Sequence, residues 1–241
     1  MTAGGDPWWS PWREDGVSLI LHVDLRPHEE REARALTLLD EEERRRWNRF
    51  LVYRARRQFA LCRAVLRMNL CQRLGCENSE LSFGYREHGK PFARVNGIRA
   101  PIRFNVSHSG SHGLIAFAER ERLGVDVEER VADRDFDGIG DSVYGPTERR
   151  ALAAARGREK VNRFYRLWSL KEALIKALGT GFSLNPSRFE IPPEMLRGAR
   201  SGEFRFPHRP SEAWWLVDLG EPRFAAALAY RRTAGDALRT G

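Results

Sequence analysis

Apolar and polar positions alternate over residues 17–25, with Val17, Leu19, Leu21, Val23 and Leu25 on one side, which is the period of a half-buried strand. Asp40 with Glu43 three residues on has the form of a capped helix start, predicting a helix that runs into Phe50. Phe59, Cys62, Leu66 and Leu70 then recur at three- and four-residue spacing, and a longer helix is expected. Gly84, Gly89 and Pro91 punctuate residues 83–95 like a hairpin, while 114–118 reads as a short strand. Between them, 104–110 reads as a polar, turn-forming stretch.

The second half repeats this order. Residues 123–127 form a strand, with Val125, Asp126 and Val127 standing where the first strand has Val23, Asp24 and Leu25. A short helix is expected over 147–155, a long one over 159–178, and strands near 188–191, 214–219 and 224–230. Residues 133–145, rich in Asp and Gly, read as a mobile loop. Strand, two helices, then strands in each half suggests a duplicated unit joined near 118–123. The expected division is 1–118 and 119–241, two similar halves with a cleft between them.

Composition narrows the classes. The chain has 241 residues, 41% of them hydrophobic, enough for one large or two small cores. The longest unbroken apolar stretch, 224–230, is far short of the roughly 20 residues of a membrane helix. With no secretory signal visible, the expectation is a cytoplasmic protein without a membrane partner. Cys62, Cys71 and Cys76 are odd in number and have no His at zinc-finger spacing, so they read as reduced thiols. The net charge is +8, carried almost wholly by arginine: the only lysines are Lys90, Lys160, Lys171 and Lys176. Ten arginines and no acid lie in 44–73, which suits a solvated helix face, a phosphate site, a nucleic acid or an acidic partner.

Several chemistries are excluded by missing motifs. No Gly-x-Gly-x-x-Gly follows a strand, and no Gly-x-Ser-x-Gly elbow is present. Gly84 to Lys90 has P-loop spacing, but Pro91 stands where a Ser or Thr must meet magnesium. What remains is acidic and cationic. A strand period of two sends Asp126 and Glu128 to one face, with Leu123, Val125 and Val127 toward the core. On the 159–178 helix, Lys171 falls inside the apolar stripe of Val161, Phe164, Leu167, Trp168, Leu174, Ile175 and Leu178, so it needs an anion or must snorkel. Glu172 and Lys176 form a favourable i,i+4 pair. His108 sits among small hydroxyl residues and Gly110, which let a phosphate approach backbone N–H groups.

Four ordered segments carry a resemblance. They are Gly89, Lys90 and Pro91; Phe104, Asn105, Val106, Ser107, His108, Ser109 and Gly110; Gly124, Val125, Asp126, Val127 and Glu128; and Phe164, Tyr165, Arg166, Leu167, Trp168, Ser169, Leu170, Lys171, Glu172, Ala173, Leu174, Ile175 and Lys176, followed by Gly179, Thr180 and Gly181. In these the chain resembles a phosphopantetheinyl transferase of the Sfp type. The resemblance implies an α+β fold of two pseudo-twofold-related halves, each a small sheet packed with helices. It implies Mg2+-dependent transfer of the 4′-phosphopantetheine arm from coenzyme A to a serine of an apo acyl, polyketide or peptidyl carrier protein, releasing adenosine 3′,5′-bisphosphate. Asp126, Glu128 and Glu172 match the family's magnesium acids, and Lys176 and His108 its pyrophosphate groups. Lys90, Ser107 and Lys171 fall at further coenzyme-contacting positions, and Glu172, or a water it orients, is the expected base. Arg46 and Arg57 are the candidates for the 3′-phosphate, and Gln58 stands where the family has arginine. The N-terminal half would serve the 3′-phosphate and the histidine motif. The C-terminal half would hold the metal acids and dock the carrier near Arg149, Arg150, Arg156 and Arg158. A monomer that binds no nucleic acid is expected. Two rivals remain: a nucleic-acid-binding module, which leaves Asp126, Glu128 and Glu172 without work, and an inactive carrier-binding scaffold, which the intact acids oppose.

Overall fold

The computed structural model describes residues 8–14, 18–119, 122–181 and 184–231. Contacts divide the chain into two compact units, 1–87 with 91–119, and 88–90 with 120–241. The first unit contains strands β1 (Trp9–Glu14) and β2 (Leu19–Asp24), helices α1 (Glu29–Leu38), α2 (Glu41–Arg49) and α3 (Tyr53–Leu74), and strands β3 (Leu81–Tyr85), β4 (Pro91–Val95), β5 (Ile98–Arg99), β6 (Arg103–Ser109) and β7 (His112–Ala118). Its main sheet runs β1-β2-β7-β6, all antiparallel, beside the small sheet β3-β4-β5. Asp40 and Glu43 do form a reciprocal cap at the start of α2. The buried side of α3, including Leu61, Cys62, Val65 and Leu66, packs with Leu21, Val23, Leu25, Ile115 and Phe117 in one core. Val17 lies outside the described residues.

The second unit contains β8 (Leu123–Glu129), α4 (Phe136–Val143), α5 (Pro146–Ala154), α6 (Gly157–Leu178), a 3-10 turn (Pro186–Arg188), α7 (Pro193–Leu196), β9 (Ser201–Phe206), β10 (Arg209–Asp218) and β11 (Phe224–Arg231). Its sheet runs β8-β11-β10-β9. The first strand pairs with the last, and the last with the one before it, just as β2 pairs with β7 and β7 with β6. Each unit also has one 22-residue helix after its first strand, ending at a glycine in the left-handed region (Gly75, φ 63°; Gly179, φ 78°). The fold is α+β; the units share the strand trio β2-β7-β6 and β8-β11-β10 with one long helix, while the first adds β1 beside β2 and the β3-β4-β5 sheet and the second adds β9 beside β10.

Three expectations change here. Residues 133–145 are not a loop: Asp135 accepts the Gly138 N–H, caps α4, and Phe136 and Tyr144 anchor the segment in the core. Residues 104–110 are not a turn but mostly strand β6, the edge of its sheet. No strand forms at 188–191, where the Ile191 N–H instead donates to Glu148.

Candidate functional site

Gly124 sets the geometry of the second unit's site. A Cβ there would lie 2.2 Å from the Ala173 carbonyl oxygen and 2.3 Å from the Ala177 nitrogen, so β8 and α6 touch backbone to backbone. Opposite residues of an antiparallel pair share a face, and Gly124, Asp126 and Glu128 stand opposite Ala229, Ala227 and Ala225. Those alanines pack in the core with α6. Asp126 and Glu128 therefore face the helix, while Val125 and Val127 point to the other side of the sheet. The valines are fully buried, as expected of their face; what differs is that the acids' face is covered as well, by α6.

It also breaks the expected equivalence with the first strand. In β2 the residues facing the helix are Val23 and its partner Gly113, whose Cβ would meet Cys62 of α3. Asp24 lies on the opposite face. The two triplets are out of phase by one residue, which inverts every side chain.

On α6, Trp168, Glu172 and Lys176 follow one another at four-residue intervals and form a ridge over the two acids. Lys176 Nζ is 2.6 Å from Asp126 Oδ1, and Asp126 is almost fully buried. The Trp168 indole N–H donates to Glu128 Oε1 at 3.1 Å. Burial pushes the Glu172 carboxyl above the usual carboxylate range; Lys176 draws it back down, and Asp126 and Glu128 push it up. Three carboxylates are thus held in mutual repulsion with an ammonium among them. Among the described residues no three acidic, His or Cys groups gather closely enough to hold a metal ion. In donor chemistry the set nevertheless suits a hard, oxygen-seeking cation such as magnesium.

Lys171 is a correction. Its ammonium is fully buried, 2.7 Å from Glu148 Oε2, and donates to the carbonyls of Pro186 and Phe189. The lysine in the apolar stripe did require an anion, but the anion is Glu148 and not a coenzyme. Lys90 also has structural work: its Nζ donates to the Leu123 carbonyl at 2.7 Å and the Lys176 carbonyl at 2.6 Å, tying the start of β8 to the last turn of α6.

In the first unit, Arg57 Nε donates to the Leu25 carbonyl at 2.8 Å and is buried, while Gln58 Nε2 donates to the Gly110 carbonyl at 2.9 Å. The start of α3 is thereby fastened to the end of β2 and to the β6–β7 turn. Arg46 is exposed, with its guanidinium 3.1 Å from the Tyr85 hydroxyl and over the Phe59 ring. Ser107 and His108 point to opposite faces of β6: Ser107 pairs with Leu114, while His108 shares with Gly113 the face toward α3. Ser107 is buried and His108 exposed. Sequence reasoning missed Trp168 as a polar partner, because its place in the apolar stripe hid the indole N–H; its i−4 spacing from Glu172 was the available signal.

Two family models match the chain. The 4′-phosphopantetheinyl transferase superfamily matches residues 122–229, and the N-terminal region of 4′-phosphopantetheinyl transferases matches 24–120. Among curated relatives, a Synechocystis protein named for the same transferase activity is 34% identical over 61% of this chain and 59% of its own. The 4′-phosphopantetheinyl transferase Sfp of Bacillus subtilis is 27% identical over 71% of this chain and 74% of its own. A phosphopantetheinyl transferase of Thraustochytrium is 28% identical over 87% and 81%. With the Synechocystis protein and a Nostoc transferase, the match spans about three fifths of the relative's length. With adjacent matches across both units, the chain belongs to the 4′-phosphopantetheinyl transferase superfamily.

Proposed function

We propose that this protein transfers the 4′-phosphopantetheine arm of coenzyme A to a serine of an apo carrier protein, releasing adenosine 3′,5′-bisphosphate. The reading is carried by one observation, the ridge of Trp168, Glu172 and Lys176 over Asp126 and Glu128 in a chain of this family. Asp126, Glu128 and Glu172 would hold magnesium, which when bound neutralises charge on the pyrophosphate as it is cleaved. Glu172 accepts the proton of the carrier serine, directly or through a water it orients. The serine oxygen forms the new bond to phosphorus, and the bridging bond of the pyrophosphate breaks toward the adenosine bisphosphate. Lys176 places its ammonium where that leaving charge develops.

On the first unit, Arg57 and Arg46 are assigned to the 3′-phosphate, with Ser107 and His108 as further donor contacts. The carrier is assigned to the second unit around α4 and α5, with Arg149 and Arg150 on its rim. A helical α4 makes this a preformed surface rather than an adapting loop. The test is intact-mass spectrometry of several apo carriers incubated with the protein, coenzyme A and magnesium. Addition of one phosphopantetheine to at least one carrier is expected; no addition to acyl, polyketide or peptidyl carriers rejects the proposal.

A further inference from the structure

Away from the acidic ridge, α6 borders a second site. Residues 159, 162, 163 and 166 are centred about a third of a turn round the helix from 168, 172 and 176, at roughly 100° per residue, and lie nearer its N-terminal end. They line a cavity of about 570 Å3, closed by Arg130 after β8, by Arg197 and Arg200 after α7, and by the β10–β11 turn. Six arginines and three acids meet there. The acids are already engaged: Asp218 pairs with Arg166 at 2.7 Å and Arg200 at 3.3 Å, Glu159 pairs with Arg163 at 2.7 Å, and the Glu221 carboxylate pairs with Arg223 at 3.0 Å. Three arginines are left over. Arg130 donates through one terminal nitrogen to the carbonyls of Glu221 and Pro222, but its Nε is buried without a hydrogen-bond partner among the described residues. Arg158 and Arg197 are exposed, and no hydrogen-bond or ion-pair partner is found for either guanidinium among those residues.

A buried, unsatisfied guanidinium donor is costly, and a like charge beside it adds to the cost. Burial and the neighbouring Arg158 both disfavour the charged form of Arg130, against which Asp218 acts. An oxyanion bound at a terminal nitrogen of Arg130 would offset both charges and the cost of the unsatisfied Nε. A neighbouring cavity of about 670 Å3 shares Arg130, Arg158 and Asn162, leaving room for a ligand larger than a bare oxyanion.

We propose that this cavity is a binding site for a small phosphorylated molecule, held through its phosphate by Arg130, Arg158 and Arg197, and separate from the acidic ridge. The probe is inorganic pyrophosphate, titrated in the absence of divalent metal into the full chain labelled with 15N. The readout is the arginine Nε–H resonances, with Arg130 assigned from an Arg130→Lys variant. Saturable movement of the Arg130 Nε–H is expected, and Arg158→Gln with Arg197→Gln should weaken binding by about tenfold, since two charge-assisted contacts to the phosphate are lost. Both substitutions are at exposed positions and leave the core intact. An Arg130 signal that stays still, that drifts linearly as it does with sodium chloride of equal ionic strength, or that saturates equally in the double variant would overturn the assignment. The readout does not depend on transfer activity, so it stands or falls apart from the reaction proposed above.

Discussion

The Trp168 indole N–H donates to Glu128, and phenylalanine keeps an aromatic ring, smaller than the indole, while removing the donor. Trp168→Phe should lower kcat of transfer by about tenfold, one charge-assisted bond being worth about 1.5 kcal/mol or more, with KM for coenzyme A and the melting temperature nearly unchanged. A matching loss in melting temperature would make Trp168 a packing residue only. Lys171 and Glu148 behave differently, because both are fully buried and each is the other's neutralising charge. Lys171→Met should cost about 3–5 kcal/mol in denaturant unfolding by stranding Glu148, and adding Glu148→Gln should recover part of that loss. Full stability in Lys171→Met would return Lys171 to the list of ligand-binding candidates.

The contact of β8 with α6 makes Gly124 the point at which two elements fix one site. Gly124→Ala places a methyl group against helix backbone that cannot move aside, so a loss of about 1–3 kcal/mol in stability is expected, with transfer falling further as Glu172 and Lys176 shift away from Asp126. Circular dichroism melts and turnover of the same variant separate the two effects. The end of β2 is held by charge instead. Asp24 is pushed up by burial but pulled down more by hydrogen bonds and charge from Arg26 and Arg31, ending at about 2 against an ordinary 3.8. Because the folded value is depressed, the contribution is complete above the ordinary value and disappears as pH falls toward 2. Asp24→Asn should cost about 1–2 kcal/mol at pH 7 and almost nothing at pH 2 in urea unfolding, allowing for partial solvent screening. The period and caps that reveal α2, α3, α5, α6, β2 and β11 are strong in the sequence. α1 escaped because only Ala35 is buried in it, and β1 because Pro11 and a bulge interrupt its pairing. α4 was hidden by glycines that a capping aspartate overrides. The direction in which the acids face was beyond reach, since alternation shows that two faces exist but not which one a helix covers.

Both units share a three-strand order, β2-β7-β6 and β8-β11-β10, yet of β2 and β8 only β8 has acids among the described residues on its helix-facing side. Residue types identified Asp126, Glu128, Glu172 and Lys176; the fold adds that they share one surface of one unit, with Lys171 withdrawn into the core beneath. A repeated scaffold with a one-residue phase difference has thus placed valine in one unit where the other has a carboxylate. The most direct test counts both products in one reaction: adenosine 3′,5′-bisphosphate by chromatography and holo-carrier by intact mass, for the wild type and Asp126→Ala. Equal amounts of the two products with the wild type, and neither with a folded Asp126→Ala, are the results expected. Undiminished formation of both by Asp126→Ala would contradict the account.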